Sequence, residues 1–384
     1  VTSVSIDVSA IPAKPAGAGR YVIELVRRVA ASPEVDLTVI ARTDDAERWR
    51  TLAPMATTRP VAPVRRPVRL AWEQTGLRRE LRRQGVDVHH GPHYTMPVTG
   101  PRLISAGHVP PVVVTVHDLT YFDHPEWHER SKVVVFRSAI RYAARHAAAI
   151  ICVSQPTADR LRALVHPRVP VHVVPHGVDT TRFAPTEPEP GADLAALARL
   201  GMTAPYVLHV GTLEPRKNVA DLVRAFDLAA GHDKDNQLQL VLAGAWGWHR
   251  DELLSTIEAA RHSDRIRHLG YVEDADLPAL LRCAAVVAYP SREEGFGIPP
   301  LEALACGAPL VTTEGTVMAG IVGSAALLVK AGDVAGLAAA LEDAAAGGSK
   351  AADRRERGLE VARAHGWEAS AAAHVSIYKE VAGK

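Results

Sequence analysis

Short, largely apolar runs recur along this chain, at 4–8, 37–40, 86–90, 112–116, 149–153, 171–174, 206–210, 238–243, 266–269, 284–289 and 310–313, with helically spaced stretches between them. Runs such as Ala284-Ala-Val-Val-Ala-Tyr289 are apolar at consecutive positions, so both faces of the strand are buried. That is the pattern of a parallel sheet covered by helices on both sides. Alternation of this kind through 384 residues predicts an α/β chain of two doubly wound, Rossmann-like domains. The proline-rich stretch 180–191 reads as the linker, so the domains are expected at 1–182 and 192–366. A last helical pattern occupies 367–384.

Directly after the 284–289 strand stands Ser291-Arg-Glu-Glu-Gly-Phe-Gly-Ile-Pro-Pro-Leu-Glu-Ala-Leu-Ala-Cys306. Glycines followed by paired prolines make this a loop and a helix start, because the N–H that proline lacks is unpaired there anyway. A helix start offers free N–H groups and a partial positive charge, which suits phosphate. Glu294 and Glu302 cannot serve that phosphate, since like charges repel. They are placed to accept hydrogen bonds from hydroxyls, as on a sugar or a ribose. An anion cradle with hydroxyl acceptors beside it points to a nucleotide sugar.

Three other strand exits carry polar chemistry. Gly211-Thr-Leu-Glu-Pro-Arg-Lys-Asn218 follows the 206–210 strand, and its adjacent Arg216 and Lys217 suit a diphosphate. Ala16-Gly-Ala-Gly-Arg-Tyr21 sets two glycines at a helix start, without the third glycine of a dinucleotide fingerprint, where Val22 stands. His117-Asp-Leu-Thr-Tyr121 closes the 112–116 strand, at the end where ligands of open α/β sheets sit. The remaining histidines, including His89, His90 and His93, have no carboxylate or cysteine at ligand spacing, so no metal site is expected.

Charge and composition narrow the partners. Lysine plus arginine number 44 against 43 acidic residues, a net charge of +1, which argues against nucleic acid. No apolar run approaches the ~20 residues of a membrane span. Val1-Thr-Ser-Val-Ser-Ile-Asp7 lacks the parts of a signal peptide. Cys152, Cys283 and Cys306 stand beside apolar runs, as buried thiols of a reducing compartment do. A cytoplasmic protein is expected. Residues 59–83 concentrate Arg59, Arg65, Arg66, Arg69, Arg78, Arg79, Arg82 and Arg83 against Glu73 and Glu80. A solvated helix face is one reading of them. The other is a docking surface for an anionic acceptor or for an anionic membrane, which would make the protein peripheral on the inner face of the plasma membrane.

The spacing Glu294-x7-Glu302 around Gly295-Phe296-Gly297 resembles the signature of the retaining family-4 glycosyltransferases, which have the GT-B fold. The loop 211–218, the Gly19-Arg20-Tyr21 triplet, His117-Asp118-Leu119 and Pro175-His-Gly-Val-Asp179 are similar to that family too, in a subgroup rich in mannosyltransferases. The resemblance implies two Rossmann-like domains facing each other across a cleft, with the last helix packing back on the first. It implies a donor site of Gly17, Thr212, Arg216, Lys217, Glu294, Gly295, Phe296, Gly297, Ile298, Leu301 and Glu302, where Thr212 replaces an arginine of many relatives. At the reaction centre it implies His117, Glu294, Arg216 and Lys217. The reaction implied is transfer of a hexose, mannose from GDP-mannose first, to a glycan or lipid-linked acceptor, with no cofactor and no required metal. Transfer from UDP-glucose or a deoxysugar nucleotide is the alternative donor reading. A phosphorylase or sugar-nucleotide epimerase on the same fold, or a non-catalytic module that binds sugar nucleotide, are the rival classes.

Overall fold

The structure is a computed structural model that describes residues 1–98, 109–232, 238–248 and 250–383. Lys384, at the end of the expected last helix, lies outside the described residues. The chain divides into two units, one formed by Val1–His176 with the stretch from Trp367, the other by Gly177–Gly366.

The first unit is built on parallel strands β1 (Thr2–Asp7), β2 (Val35–Arg42), β3 (Thr57–Ala62), β4 (Val88–Gly91), β5 (Val112–Val116), β6 (Ala149–Cys152) and β7 (Val171–Val173). Their order is β3-β2-β1-β4-β5-β6-β7, so the direction of winding reverses between β1 and β4. There Val4, Ser5 and Ile6 face Val88, His89 and His90. Strand β3 was not expected from the sequence, because Arg59 and Pro60 interrupt its apolar character. It forms as an edge strand, where a proline costs no ladder bond on the open side.

Helix Ala18–Ala30 buries Tyr21, Val22, Leu25, Val26 and Val29, the stripe of an amphipathic helix. Helix Trp367–Val381 belongs to the same unit, and Arg28 Nε reaches Glu368 Oε1 at 3.1 Å. A buried hydrogen-bond chain joins the two helices to the sheet, and its direction can be deduced. His374 Nδ1 donates to the Ser370 carbonyl at 2.7 Å, so Nε2 is an acceptor and the Tyr21 hydroxyl donates to it at 2.9 Å. Tyr21 Oη must then accept from the Thr115 hydroxyl at 2.9 Å. Thr115 Oγ1 in turn accepts from His90 Nε2 at 2.8 Å, which leaves His90 Nδ1 to accept from Tyr378 at 2.7 Å. Every member is fully buried, and both imidazoles are neutral.

The second unit has strands β8 (Tyr206–Val210), β9 (Gln239–Ala243), β10 (Ile266–Gly270), β11 (Val286–Tyr289), β12 (Leu310–Thr313) and β13 (Leu327–Val329), in the order β10-β9-β8-β11-β12-β13. All pair in parallel, and the winding reverses between β8 and β11. Leu222, Val223 and Phe226 of helix Val219–His232 pack on Leu240, Leu242, Val286 and Val311 of this sheet. The boundary falls at His176/Gly177, ahead of the position 182 expected, and the presumed linker belongs to this unit. Hydrogen bonds explain why: the Val178 amide donates to the His365 carbonyl at 2.8 Å, Arg182 to Asp274 O at 2.7 Å, and Arg282 to Ala184 O at 3.2 Å.

Acid should loosen the first unit. Burial lowers His374 from the usual 6.5 to about 4 and takes His90 well below its usual range, so the unfolded chain binds more protons than the folded one below pH 6.5. Stability is therefore full above pH 6.5 and falls as pH drops from there towards 4, by on the order of 3 kcal/mol for His374. The melting temperature is expected to fall less steeply over this window in His374→Gln than in the native protein. Equal slopes would place the acid-labile group elsewhere.

Candidate active site

In the second unit the loops leaving β8 and β11 meet at the reversal point of the sheet, the place where ligands of open parallel sheets bind. Strand β8 is followed by Gly211 (φ 149°), and a Cβ on neighbouring Gly244 (φ 152°) would lie 1.9 Å from the Gly211 carbonyl oxygen. Only glycine permits that approach. It lets Gly211 N donate to Ala243 O and Leu213 N to Ala245 O, both at 2.9 Å, so the loop continues the sheet. The turn Pro215–Lys217 follows, and Asn218 takes a left-handed conformation (φ 57°) ahead of the next helix. Across from it, the Arg292 amide donates to Arg216 O at 2.8 Å, tying the loop after β11 to this turn.

That tie brings Arg216, Lys217 and Glu294 together. Arg216 reaches Glu294 Oε2 through Nη1 at 2.6 Å and Glu214 Oε1 through Nε at 2.5 Å. Lys217 Nζ bonds the other Glu294 oxygen and the Tyr289 hydroxyl. The side chains of Glu294 and Lys217 are each 8% exposed. Burial pushes the Glu294 carboxyl up, but the Arg216 and Lys217 charges outweigh it and hold the group at about 2, so Glu294 is ionised at neutral pH. The two cations read as phosphate ligands and the carboxylate read as a hydroxyl acceptor thus form one cluster. Thr212 lies partly buried at its edge of the same loop.

Helix Ile298–Ala305 begins where its prolines allow, with Pro299 and Pro300 in the first turn and Gly297 (φ 107°) as its cap. A Cβ on Gly297 would stand 2.6 Å from Met318 Cγ, so space as well as conformation demands glycine. Phe296, Ile298, Leu301 and Glu302 are all buried, and Gly295 is partly so. Gly17 and His117 belong to the first unit. Gly17 (φ 39°) caps helix Ala18–Ala30 with open space around it. His117, just past β5, donates from Nε2 to the Pro92 carbonyl at 2.8 Å, which leaves Nδ1 as an acceptor. Its ring stands edge-on to Tyr21 at 5.2 Å, and burial lowers its pKa.

Sequence reasoning passed over Glu214, Tyr289 and His209. Glu214 shares the motif with Arg216 and Lys217, and Tyr289 ends the strand before Glu294, so proximity to candidate site residues was the available signal. His209 left none. It lies inside β8, fully buried, with Nδ1 donating to Ala288 O at 3.0 Å and its ring stacked on Tyr289. Among the described residues no group of three or more histidine, cysteine, aspartate or glutamate side chains is arranged to hold a metal ion.

The cluster makes Glu294 a structural counter-charge as well as a candidate site residue. Glu294→Ala leaves Lys217 buried without a carboxylate and is expected to cost about 3 kcal/mol of stability. Inorganic pyrophosphate should then raise the melting temperature of the variant more than that of the native protein. A variant that melts like the native chain would show that Glu294 is not the counter-charge.

Comparison with known proteins agrees with this architecture. Residues 15–182 match the family described as Glycosyltransferase Family 4, and residues 198–361 match Glycosyl transferases group 1. The O-antigen chain mannosyltransferase B of Escherichia coli is 31% identical over 378 residues, which is 94% of this chain and 96% of that one. Among solved structures, sucrose-phosphate synthase from Thermosynechococcus elongatus superposes with a TM-score of 0.77 at 20% identity, covering 99% of both chains. The Anabaena protein HepE, solved with UDP and glucose, gives 0.75 at 18% identity, covering 99% of this chain and 100% of that one. With parallel-sheet units of the GT-B type and a relative matched along nearly its whole length, the chain belongs to the family-4 glycosyltransferases.

Proposed function

We propose that the protein transfers a mannosyl group from GDP-mannose to a hydroxyl of a glycan or lipid-linked acceptor, with retention of the anomeric configuration. The observation that carries this reading is the ionised Glu294 held between Arg216 and Lys217 where the second sheet reverses. A donor diphosphate arriving there competes with the carboxylate for both cations. Glu294 oxygens released from them accept hydroxyls of the donor sugar, and Glu302 those of the ribose. The acceptor oxygen attacks the anomeric carbon on the face from which the diphosphate departs. The bond from that carbon to the phosphate oxygen breaks, and the acceptor proton passes to the same oxygen. Arg216 and Lys217 stabilise the negative charge that grows on the leaving group, in a site largely closed to water. The family resemblance assigns Gly17 to the donor as well. His117, neutral and with Nδ1 free to accept, orients a sugar hydroxyl rather than attacking. The mannose assignment is supported by the name of the E. coli relative.

The arginine-bearing helix Arg66–Gln84 supports peripheral contact with an anionic membrane. Arg59 is spent on Glu80, at 3.1 and 2.9 Å, and Arg69 donates to the Val64 carbonyl at 3.2 Å. Arg65, Arg66, Arg79 and Arg83 are exposed, and Val64, Val68 and Leu70 stand 46%, 51% and 41% exposed among them. Basic charge around exposed apolar side chains is the composition of an interfacial helix. Among the described residues no helix is long and apolar enough to cross a membrane.

Three outcomes are expected. A thermal-shift screen of GDP, UDP, dTDP and ADP with their common sugars should show the largest shift with GDP, since a ligand at a hundred times its Kd adds about 2.7 kcal/mol. A shift with UDP or dTDP alone would keep the transferase and discard mannose. Glu294→Gln should lower kcat by about 10²–10³-fold with GDP-mannose, and unchanged turnover would remove Glu294 from the mechanism. Vesicles containing phosphatidylglycerol should sediment the protein, in a salt-sensitive way, where phosphatidylcholine vesicles do not. Equal binding to both would end the membrane assignment.

A further inference from the structure

The first sheet also reverses direction, between β1 and β4, and a recess opens at the strand ends there. It has a volume of about 20 Å³, room for one water or one hydroxyl. Asp7 at the end of β1, Glu73 of helix Arg66–Gln84, His89 and Gly91 of β4, and His93 and Met96 beyond it line the recess.

Its polar groups are short of partners. Glu73 is 7% exposed, and among the described residues no donor bonds its carboxyl and no cation stands within ion-pair distance. Asp7 accepts the Ser9 amide, at 2.8 Å. His89, 1% exposed, spends Nδ1 on Ser5 Oγ at 2.9 Å and lines the recess with the rest of its ring. Nε2 of His93 is buried with no hydrogen-bond partner among the described residues. Burial raises the Glu73 carboxyl to about 8, with Asp7 adding to the effect and Arg69 opposing it. Burial raises Asp7 as well.

A core has no use for this arrangement, because uncompensated buried acids are costly and apolar side chains of similar volume are often more stable. A polyol has. The recess offers carboxyl oxygens at the scale of one hydroxyl, and among the described residues no cation stands within ion-pair distance of them to hold a phosphate or any other anion. We propose that this recess seats a hydroxyl of a neutral sugar at the end of the acceptor, so that the acceptor group bound by the first unit is an uncharged glycan residue rather than a phosphate-bearing headgroup. The inference rests on the transferase reading above and selects among the acceptors it allows.

Saturation-transfer NMR on the intact chain tests it, with methyl α-D-mannopyranoside and glycerol 3-phosphate as probes and GDP binding measured in parallel. The mannoside should give a signal and the phosphate none, and Asp7→Asn and Glu73→Leu should each weaken mannoside binding about tenfold while GDP binding is unchanged. No mannoside signal from the native chain, native-strength binding in both variants, or glycerol phosphate lost in the variants in place of the mannoside would each overturn the proposal. As a measurement on the native protein alone, the carboxyl carbon resonance of Glu73, identified as the one missing from Glu73→Leu, should move when the mannoside is added. A resonance that stays still would overturn the proposal irrespective of how the variants fold. Absence of GDP binding in the native chain strikes the donor reading instead, and the two failures are told apart by the probe that stops binding.

Discussion

A charge taken out of water at a strand exit has to be matched on the spot, and that requirement shapes the second unit. Removing one member of a buried ion pair costs ~3–5 kcal/mol, because the survivor stays desolvated. Glu294 therefore depends on Arg216 and Lys217, and both depend on the loops after β8 and β11 running side by side. The glycines follow from the same demand. Gly211 and Gly244 let two loop backbones touch, and Gly297 lets helix Ile298–Ala305 start against Met318. In the proposed reading, a cluster so closed on itself is already arranged for the charge of a nucleoside diphosphate, since the cations need only exchange one anion for another.

The first unit buries polar groups by another route. Its chain of Tyr378, His90, Thr115, Tyr21 and His374 contains no ion pair, and each hydrogen has a single place to go because the chain ends on the Ser370 carbonyl. Neutral hydrogen-bonded groups cost far less to bury than charges, provided all of them are satisfied. That is how a helix from the far end of the sequence becomes part of the first unit. The recess beside Asp7 and Glu73 departs from this rule, which is why it reads as a binding feature rather than as packing.

Much of the candidate site was legible along the chain. Glu294, Glu302, Gly297 and the paired prolines lie within one strand-loop-helix unit, where local spacing carries the chemistry. Arg216 and Lys217 stand at a strand exit that the apolar run 206–210 announces. Glu214 was missed because an acid next to two bases looks like surface charge until burial is known. Asp7 and Glu73 were missed because each is unremarkable where it stands: one ends a strand, the other sits among arginines. Strand β3 was missed because edge position, which excuses Pro60, is a property of the sheet and not of the segment.

By itself the sequence determined the α/β alternation, the parallel character of the sheets, and the residue types at most strand exits, because periodicity and loop chemistry act over a few neighbouring residues. Only the tertiary structure decided that Glu294 closes onto both cations, that His374 is neutral with its proton on Nδ1, and that Asp7 and Glu73 share one recess. Each of these rests on burial and on contacts between residues far apart in the chain. The cost of leaving a charge or a hydrogen-bonding group unmatched is set by what surrounds it in space, and no local pattern encodes that.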